Sequence, residues 1–194
     1  MDLLSTITNQ LGDSFIEKVS GNIGADKEKT SSAINTALPF LLGALSKNAS
    51  SENGAQSILS AVTKKHDGSI LDNLSGLIDD PKHGDGAGIL KHVLGNKEGM
   101  VEKLIAEKTG LGTDGSTGIL QILAPIVMGA IGKEAKNFDI GSLAGLLGGT
   151  ADKIGEPSVS SSLVSKFLDK DGDGNVKDDL LSMGMGFLKN QFKG

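Results

Sequence analysis

The nine residues Ala37-Leu38-Pro39-Phe40-Leu41-Leu42-Gly43-Ala44-Leu45 decide the fold class of this chain. Apolar residues recur here at intervals of three and four, as they do along one face of an α-helix. Alternating β-branched runs bounded by turn pairs, which mark strands, are missing from the sequence. We therefore expect an all-α protein.

The same pattern returns in the second half as Leu123-Ala124-Pro125-Ile126-Val127-Met128-Gly129-Ala130-Ile131. An upstream match aligns 23–26 with 111–114, so that the similarity covers roughly 70 residues and predicts a duplicated helical unit. A proline inside a helix kinks it and frees the carbonyl four residues earlier, here on Asn35 and Gln121. The freed carbonyls either line a polar notch or, as we favour, simply accompany a bend around the core.

These repeats predict an internally duplicated helical bundle with kinked proline helices. We place the first repeat at residues 1–96 and the second at residues 97–194, with an EF-hand-like loop at 169–180 near the C-terminus. We expect both repeats to belong to one compact globular unit, because 194 residues suffice for a single large core.

Composition excludes several classes of protein. Cysteine is absent, so disulfides and thiolate metal sites are impossible. The net charge is −5 and basic residues are interspersed with acidic ones, which argues against nucleic acid as a partner. All aromatic residues are the six phenylalanines, so no tyrosine or tryptophan offers a stacking platform.

The sequence gives no sign of export or of a membrane span. Its first residues include an acid and no basic n-region, unlike a secretory signal. The longest apolar stretch, 119–131, is interrupted by Gln121, Pro125 and Gly129 and falls short of the roughly 20 residues that cross a bilayer. We expect a soluble, cytoplasmic protein.

An acidic dodecapeptide makes the most specific chemical prediction. Residues 169–180 read DKDGDGNVKDDL and resemble the calcium loop of an EF-hand. Three carboxylates at alternate positions surround one side of a hard cation, and a glycine at the sixth position allows the turn. The predicted oxygen ligands are Asp169, Asp171, Asp173 and Asn175, the last through its backbone carbonyl, and the predicted cofactor is Ca²⁺.

The twelfth position of the loop departs from the EF-hand pattern. Leu180 stands where a bidentate glutamate is usual, and the nearest carboxylates, Asp178 and Asp179, come too early. The loop therefore closes on Asp178 or Asp179, recruits a distant carboxylate, or binds calcium weakly; the remaining alternative is a solvated acidic turn. We include both aspartates in the predicted site.

Two resemblances extend this interpretation. The stretch from His83 to Gly95, HGDGAGILKHVLG, together with the proline helix of the first repeat, resembles a bacterial family catalogued as domain of unknown function 937. That resemblance implies an α-helical bacterial protein without an assigned activity and supplies no catalytic residues. The acidic loop separately resembles EF-hand and dockerin-type loops, which implies calcium ligation at its aspartates.

Three functional hypotheses remain. The leading one is a calcium-binding helical module that interacts with another protein, and a related one is self-association into a structural assembly. The alternative is an enzyme of unrecognised class, with His83, Asp85 and His92 meeting at the repeat interface. His66 follows two lysines, so we interpret it as a cation near a helix C-terminus. The sequence does not identify a substrate or a partner.

Overall fold

The computed structural model describes residues 3–135 and 139–154. Within these ranges it confirms the all-α prediction, because the chain there forms nine α-helices, three short 3-10 turns and no strand. The helices are α1 (Leu3–Gln10), α2 (Asp13–Ile23), α3 (Lys27–Ala49), α4 (Glu52–Lys64), α5 (Leu74–Asp79), α6 (Gly86–Val93), α7 (Glu98–Thr109), α8 (Thr113–Glu134) and α9 (Ile140–Ile154). The 3-10 turns are Ser69–Asn73, Pro81–Gly84 and Gly95–Lys97.

Two long helices, α3 and α8, form the centre of the molecule and pack against each other. Each runs through a proline, Pro39 in α3 and Pro125 in α8. Their apolar side chains belong to one hydrophobic cluster that extends from Leu3 to Leu147. Because both halves of the chain contribute to this cluster, they share a core and stabilise each other.

The two halves enter their long helices in the same way. α2 ends at Gly24 and α7 ends at Gly110, and both glycines adopt the left-handed conformation, with φ of 66° and 68°. A glycine suits this position because it carries no Cβ to clash there. By this geometry Gly24 corresponds to Gly110. The alignment expected from sequence paired Gly24 with Gly112, two residues later. The duplication itself stays a prediction, as do the repeat boundaries.

Residues 66–97, which we call the connector, link the halves and carry α5 and α6. Asn22 of α2 donates from Nδ2 to the carbonyl of Ile78, at 2.9 Å. Lys18 of α2 pairs with Asp79 at an N–O distance of 2.7 Å. These contacts fasten the first part of the connector to α2, while α6 and the first two 3-10 turns pack on α8.

α8 is the described helix that is long and apolar enough to cross a membrane. It is longer than the interrupted stretch 119–131 suggested, because the helix runs through both Gln121 and Pro125. Most of its apolar window, 78 %, is buried inside the bundle. A central core helix satisfies the same criteria of length and composition, so this finding is weak evidence for a membrane span.

The predicted calcium loop lies outside the described residues. This applies to each of its proposed ligands, Asp169, Asp171, Asp173, Asn175, Asp178 and Asp179. The calcium site therefore stays a prediction from sequence.

Candidate ligand-binding cleft

A cleft of about 810 Å³ lies between α4 and α6. Helices α3 and α8 supply apolar residues to it through Leu45 and Met128, and Ile58 and Ile89 extend this apolar surface from the two walls. These four side chains are at most 7 % exposed. The described polar residues that line the cleft are Asn48, Ser51, Gln56, Ser57, Ser60, Lys64, Lys65, His66, Asp85 and His92. Apolar surface with a few polar groups is typical of small-molecule sites.

The wall formed by α6 is seated directly on the proline of α8. A Cβ added to Gly84 would lie 2.7 Å from the Pro125 ring, and one added to Gly86 would overlap the carbonyl oxygen of Gln121. That carbonyl is the one that Pro125 deprives of its helical hydrogen bond. The glycines of the HGDG motif therefore allow the connector backbone to approach the kink closely.

The connector approaches α8 a second time, one turn further along. A Cβ on Gly132 would overlap the carbonyl oxygen of His66, and a Cβ on Gly129 would lie 2.7 Å from Ile70. Gly68 lies against the same helix and has φ of 98°, a conformation that glycine adopts readily. Two glycines on one face of α8 thus determine where His66 enters the cleft.

The opposite wall, α4, is fixed at its N-terminus. The Ser51 hydroxyl accepts a hydrogen bond from the N–H of Gly54 at 3.2 Å, which caps the helix. A side chain on Gly54 would overlap the carbonyl of Asn48, so the turn between α3 and α4 is tight. The Asn48 amide donates to the carbonyl of Val93 at 3.0 Å and connects α3 to the end of α6. Both walls are therefore held to the same central helix.

His66 is the most deeply placed titratable group of the cleft. The residue is only 9 % exposed, and its side chain lines the cleft. Burial lowers its pKa from the ordinary value of 6.5; Asp85 opposes this shift and Lys65 reinforces it. The ring is therefore neutral near pH 7, with one nitrogen that donates and one that accepts. His66 does follow the end of α4, as the sequence indicated, but its burial disfavours the cation that we expected there.

His92 and Asp85 also line the cleft, whereas His83 does not. The Nδ1–H of His92 donates to the carbonyl of Gly88, at 2.9 Å, one turn earlier in α6. The side chain of His83 is 83 % exposed and its Nδ1 lies 2.8 Å from Asp80. This hydrogen bond is the main reason that the pKa of Asp80 is lowered. The trio of His83, Asp85 and His92 proposed for an enzyme thus does not converge.

Asp85 adopts a left-handed conformation, with φ of 53°, directly before α6. Among the described residues it is the only one other than glycine with positive φ. An aspartate tolerates this region better than a branched residue, and the conformation turns the chain from the Pro81–Gly84 turn into the helix. Asp85 therefore combines a turn-forming role with a carboxylate at the cleft.

The described residues do not include a group of three or more histidine, aspartate and glutamate side chains placed to share a metal ion. The described lining of the cleft therefore contains no such metal-binding group. Of its polar residues, sequence reasoning identified Asp85 and His92 but missed His66. The available signal was its position directly after a helix and before Gly68, which predicts a turn but not burial.

Comparison with known proteins identifies the family. The model of the family described as "Bacterial protein of unknown function (DUF937)" matches residues 5–134. Neither the curated proteins nor the solved structures gave a match. The family match covers α2 to α8 completely and includes the connector, both proline helices and every described residue that lines the cleft. Since it extends over well more than half of the chain, this protein belongs to the DUF937 family of bacterial proteins.

Proposed function

We propose that the protein is a calcium-binding helical module that holds a small organic ligand in the cleft between α4 and α6. The observation that supports the ligand site best is His66, a residue only 9 % exposed whose side chain lines the cleft. Because the cleft shields the ring from bulk water, a hydrogen bond between a ligand and the imidazole is stronger there than on the open surface.

The shape of the cleft supports binding more than catalysis. Its volume of about 810 Å³ lies within the range of small-molecule pockets. The Nδ1–H of His92 is already bonded to a backbone carbonyl, and His83 lies elsewhere, so the histidines do not form a hydrogen-bonded acid–base pair. These contacts favour a binding or interaction role for the module.

A test that does not require the ligand to be known uses the methionine methyl groups as reporters. Met128 lines the cleft, while Met100 is 51 % exposed and lies outside it. In ¹³C-methyl NMR of the full chain, a bacterial small-molecule extract should shift the Met128 signal and leave that of Met100 in place. Signals that move together, or not at all, would argue against a cleft site.

A matched pair of variants locates the effect. Ser57→Trp places a large ring on the exposed rim of the cleft and should abolish the shift of Met128. Asn53→Trp adds the same ring to an exposed position of α4 that is not among the lining residues, and should leave the shift unchanged. A shift that survives Ser57→Trp contradicts binding at this site.

The acidic segment 169–180 supports the calcium part of the proposal through its sequence pattern. Asp169, Asp171 and Asp173 alternate as calcium ligands do, and calcium would offset their mutual repulsion. Calorimetric titration of the full chain should detect one calcium site that is lost in Asp171→Ala and retained in Asp72→Ala, with magnesium as a weaker competitor. No heat at millimolar calcium would show that the segment is an acidic turn.

A further inference from the structure

The charge distribution in the cleft indicates what kind of ligand it takes. Lys64 and Lys65 lie at the C-terminal end of α4, next to His66. Neither ammonium group has an ion-pair partner in the described part of the chain. Asp85 is the single carboxylate among the described lining residues, so the two lysines leave an excess of positive charge.

The apolar surface of the cleft begins close to these charges. Ile58 lies on α4 two turns before the lysines, and Ile89 lies one turn after Asp85 on the facing helix. Val93 and Leu45 continue the apolar surface toward the other end of α6. A ligand that spans the cleft therefore meets cations at one end and aliphatic side chains along its length.

Aromatic side chains are missing from the described lining. Nucleobases and sugars are usually held by stacking on aromatic rings, so neither class matches this surface well. An aliphatic chain requires only the dispersion contacts and burial that isoleucine, leucine, valine and methionine provide.

We propose that the cleft binds an amphiphilic carboxylate, an aliphatic acid whose head group lies between Lys64, Lys65 and His66 and whose chain covers Ile58 and Ile89. A carboxylate accepts hydrogen bonds from both lysines and from the donor nitrogen of the imidazole. The ligand thereby forms a hydrogen bond with the imidazole that lines the cleft. This inference rests on the proposed ligand site and adds the chemical class of its occupant.

The histidine rings provide the test, because the chain has only three of them. Decanoate, kept below its micelle-forming concentration, is titrated into the full chain while ring resonances are followed by NMR. The resonances of His66 should move, and those of His83, outside the cleft, should stay in place. Decyltrimethylammonium, which has the same chain and a cationic head, should bind at least about tenfold more weakly, as expected when a charged hydrogen bond is lost.

Charge variants distinguish the head-group contact from non-specific binding. Lys64→Gln combined with Lys65→Gln should weaken decanoate binding by about tenfold or more. Lys82→Gln combined with Lys103→Gln removes the same charge from exposed positions outside the cleft and should have little effect. Equal binding of the two amphiphiles, or equal loss in both double variants, would overturn the inference.

The two NMR experiments together test the carboxylate assignment separately from the existence of the ligand site. If decanoate leaves His66 unperturbed while the small-molecule extract still shifts Met128, the carboxylate assignment is wrong and the cleft remains a ligand site. If both reporters stay unperturbed, the ligand site fails as well.

Discussion

The two proline helices share an apolar stretch with proline, glycine and alanine at the same positions, but they have different surroundings. In α3, Pro39 is half-buried and Asn35, whose carbonyl it frees, is exposed. In α8, Pro125 is buried, and the connector glycines 84 and 86 lie on the proline ring and on the freed carbonyl of Gln121. The proline region is therefore partly exposed in α3, whereas in α8 the connector packs against it.

This difference determines how the cleft is built in the part of the chain that the structure describes. The connector packs on α8, and its helix α6 then stands opposite α4. The residue that follows the shared stretch differs between the halves: Ser46 in α3 corresponds to Gly132 in α8, where the carbonyl of His66 approaches. Glycine at position 132 leaves the space that this close approach requires.

The largest loss of stability is expected when Gly132 of α8 is replaced by serine, the residue at the equivalent position of α3. Gly132→Ser forces a Cβ into the backbone carbonyl of His66, and overpacking of this kind costs about 2–3 kcal/mol. Denaturant unfolding should show a lower midpoint. The reciprocal Ser46→Gly should cost only about 1 kcal/mol, because it introduces helical flexibility without a clash. Equal losses would indicate that the two helices are packed alike.

A second variant tests the close packing of α6 on the kink of α8. Gly86→Ala brings a Cβ onto the carbonyl of Gln121 and should lower the free energy of unfolding by about 1–3 kcal/mol. Gly21→Ala is the control, since a Cβ there would have open space within 4 Å and helix propensity favours alanine. The control should be neutral or more stable in thermal unfolding, whereas a stable Gly86→Ala protein would refute the close approach.

The smallest expected effect is a dependence of stability on pH. Because burial lowers the pKa of His66 in the folded state, the unfolded chain binds its proton more readily. The free energy of unfolding should therefore fall as pH decreases below 6.5, until the folded-state pKa is passed. His66→Gln should reduce this slope between pH 6.5 and pH 5, measured by urea unfolding. An unchanged slope would mean that His66 is not shielded from water.

The sequence was sufficient for the helical class and for the two proline helices, because apolar spacing and the paired stretches are local signals. It did not indicate that α8 begins at Thr113, because the N-cap residue Gly112 offers no side-chain cap. The preceding helix ends at Gly110 through a left-handed backbone conformation. Boundaries of this kind depend on the geometry of the turn.

The cleft was harder to predict because it is formed by residues far apart in the chain. His66, Asp85 and Met128 meet only after the connector has packed on α8. His83 carries the same ring as His66 and lies in a more distinctive motif, yet it points away and pairs with Asp80. Residue type alone does not reveal burial, which is set by the glycines of the opposing helix.

The position of His66 is probed by an NMR pH titration of its ring in the wild-type chain and in Gly132→Ser. We expect a pKa below 6.5 in the wild type, because the ring is buried, and a return toward 6.5 when the added side chain displaces the His66 backbone. A wild-type ring that titrates at 6.5, or a value unchanged by Gly132→Ser, would contradict the claim that the glycine face of α8 positions His66 in the cleft.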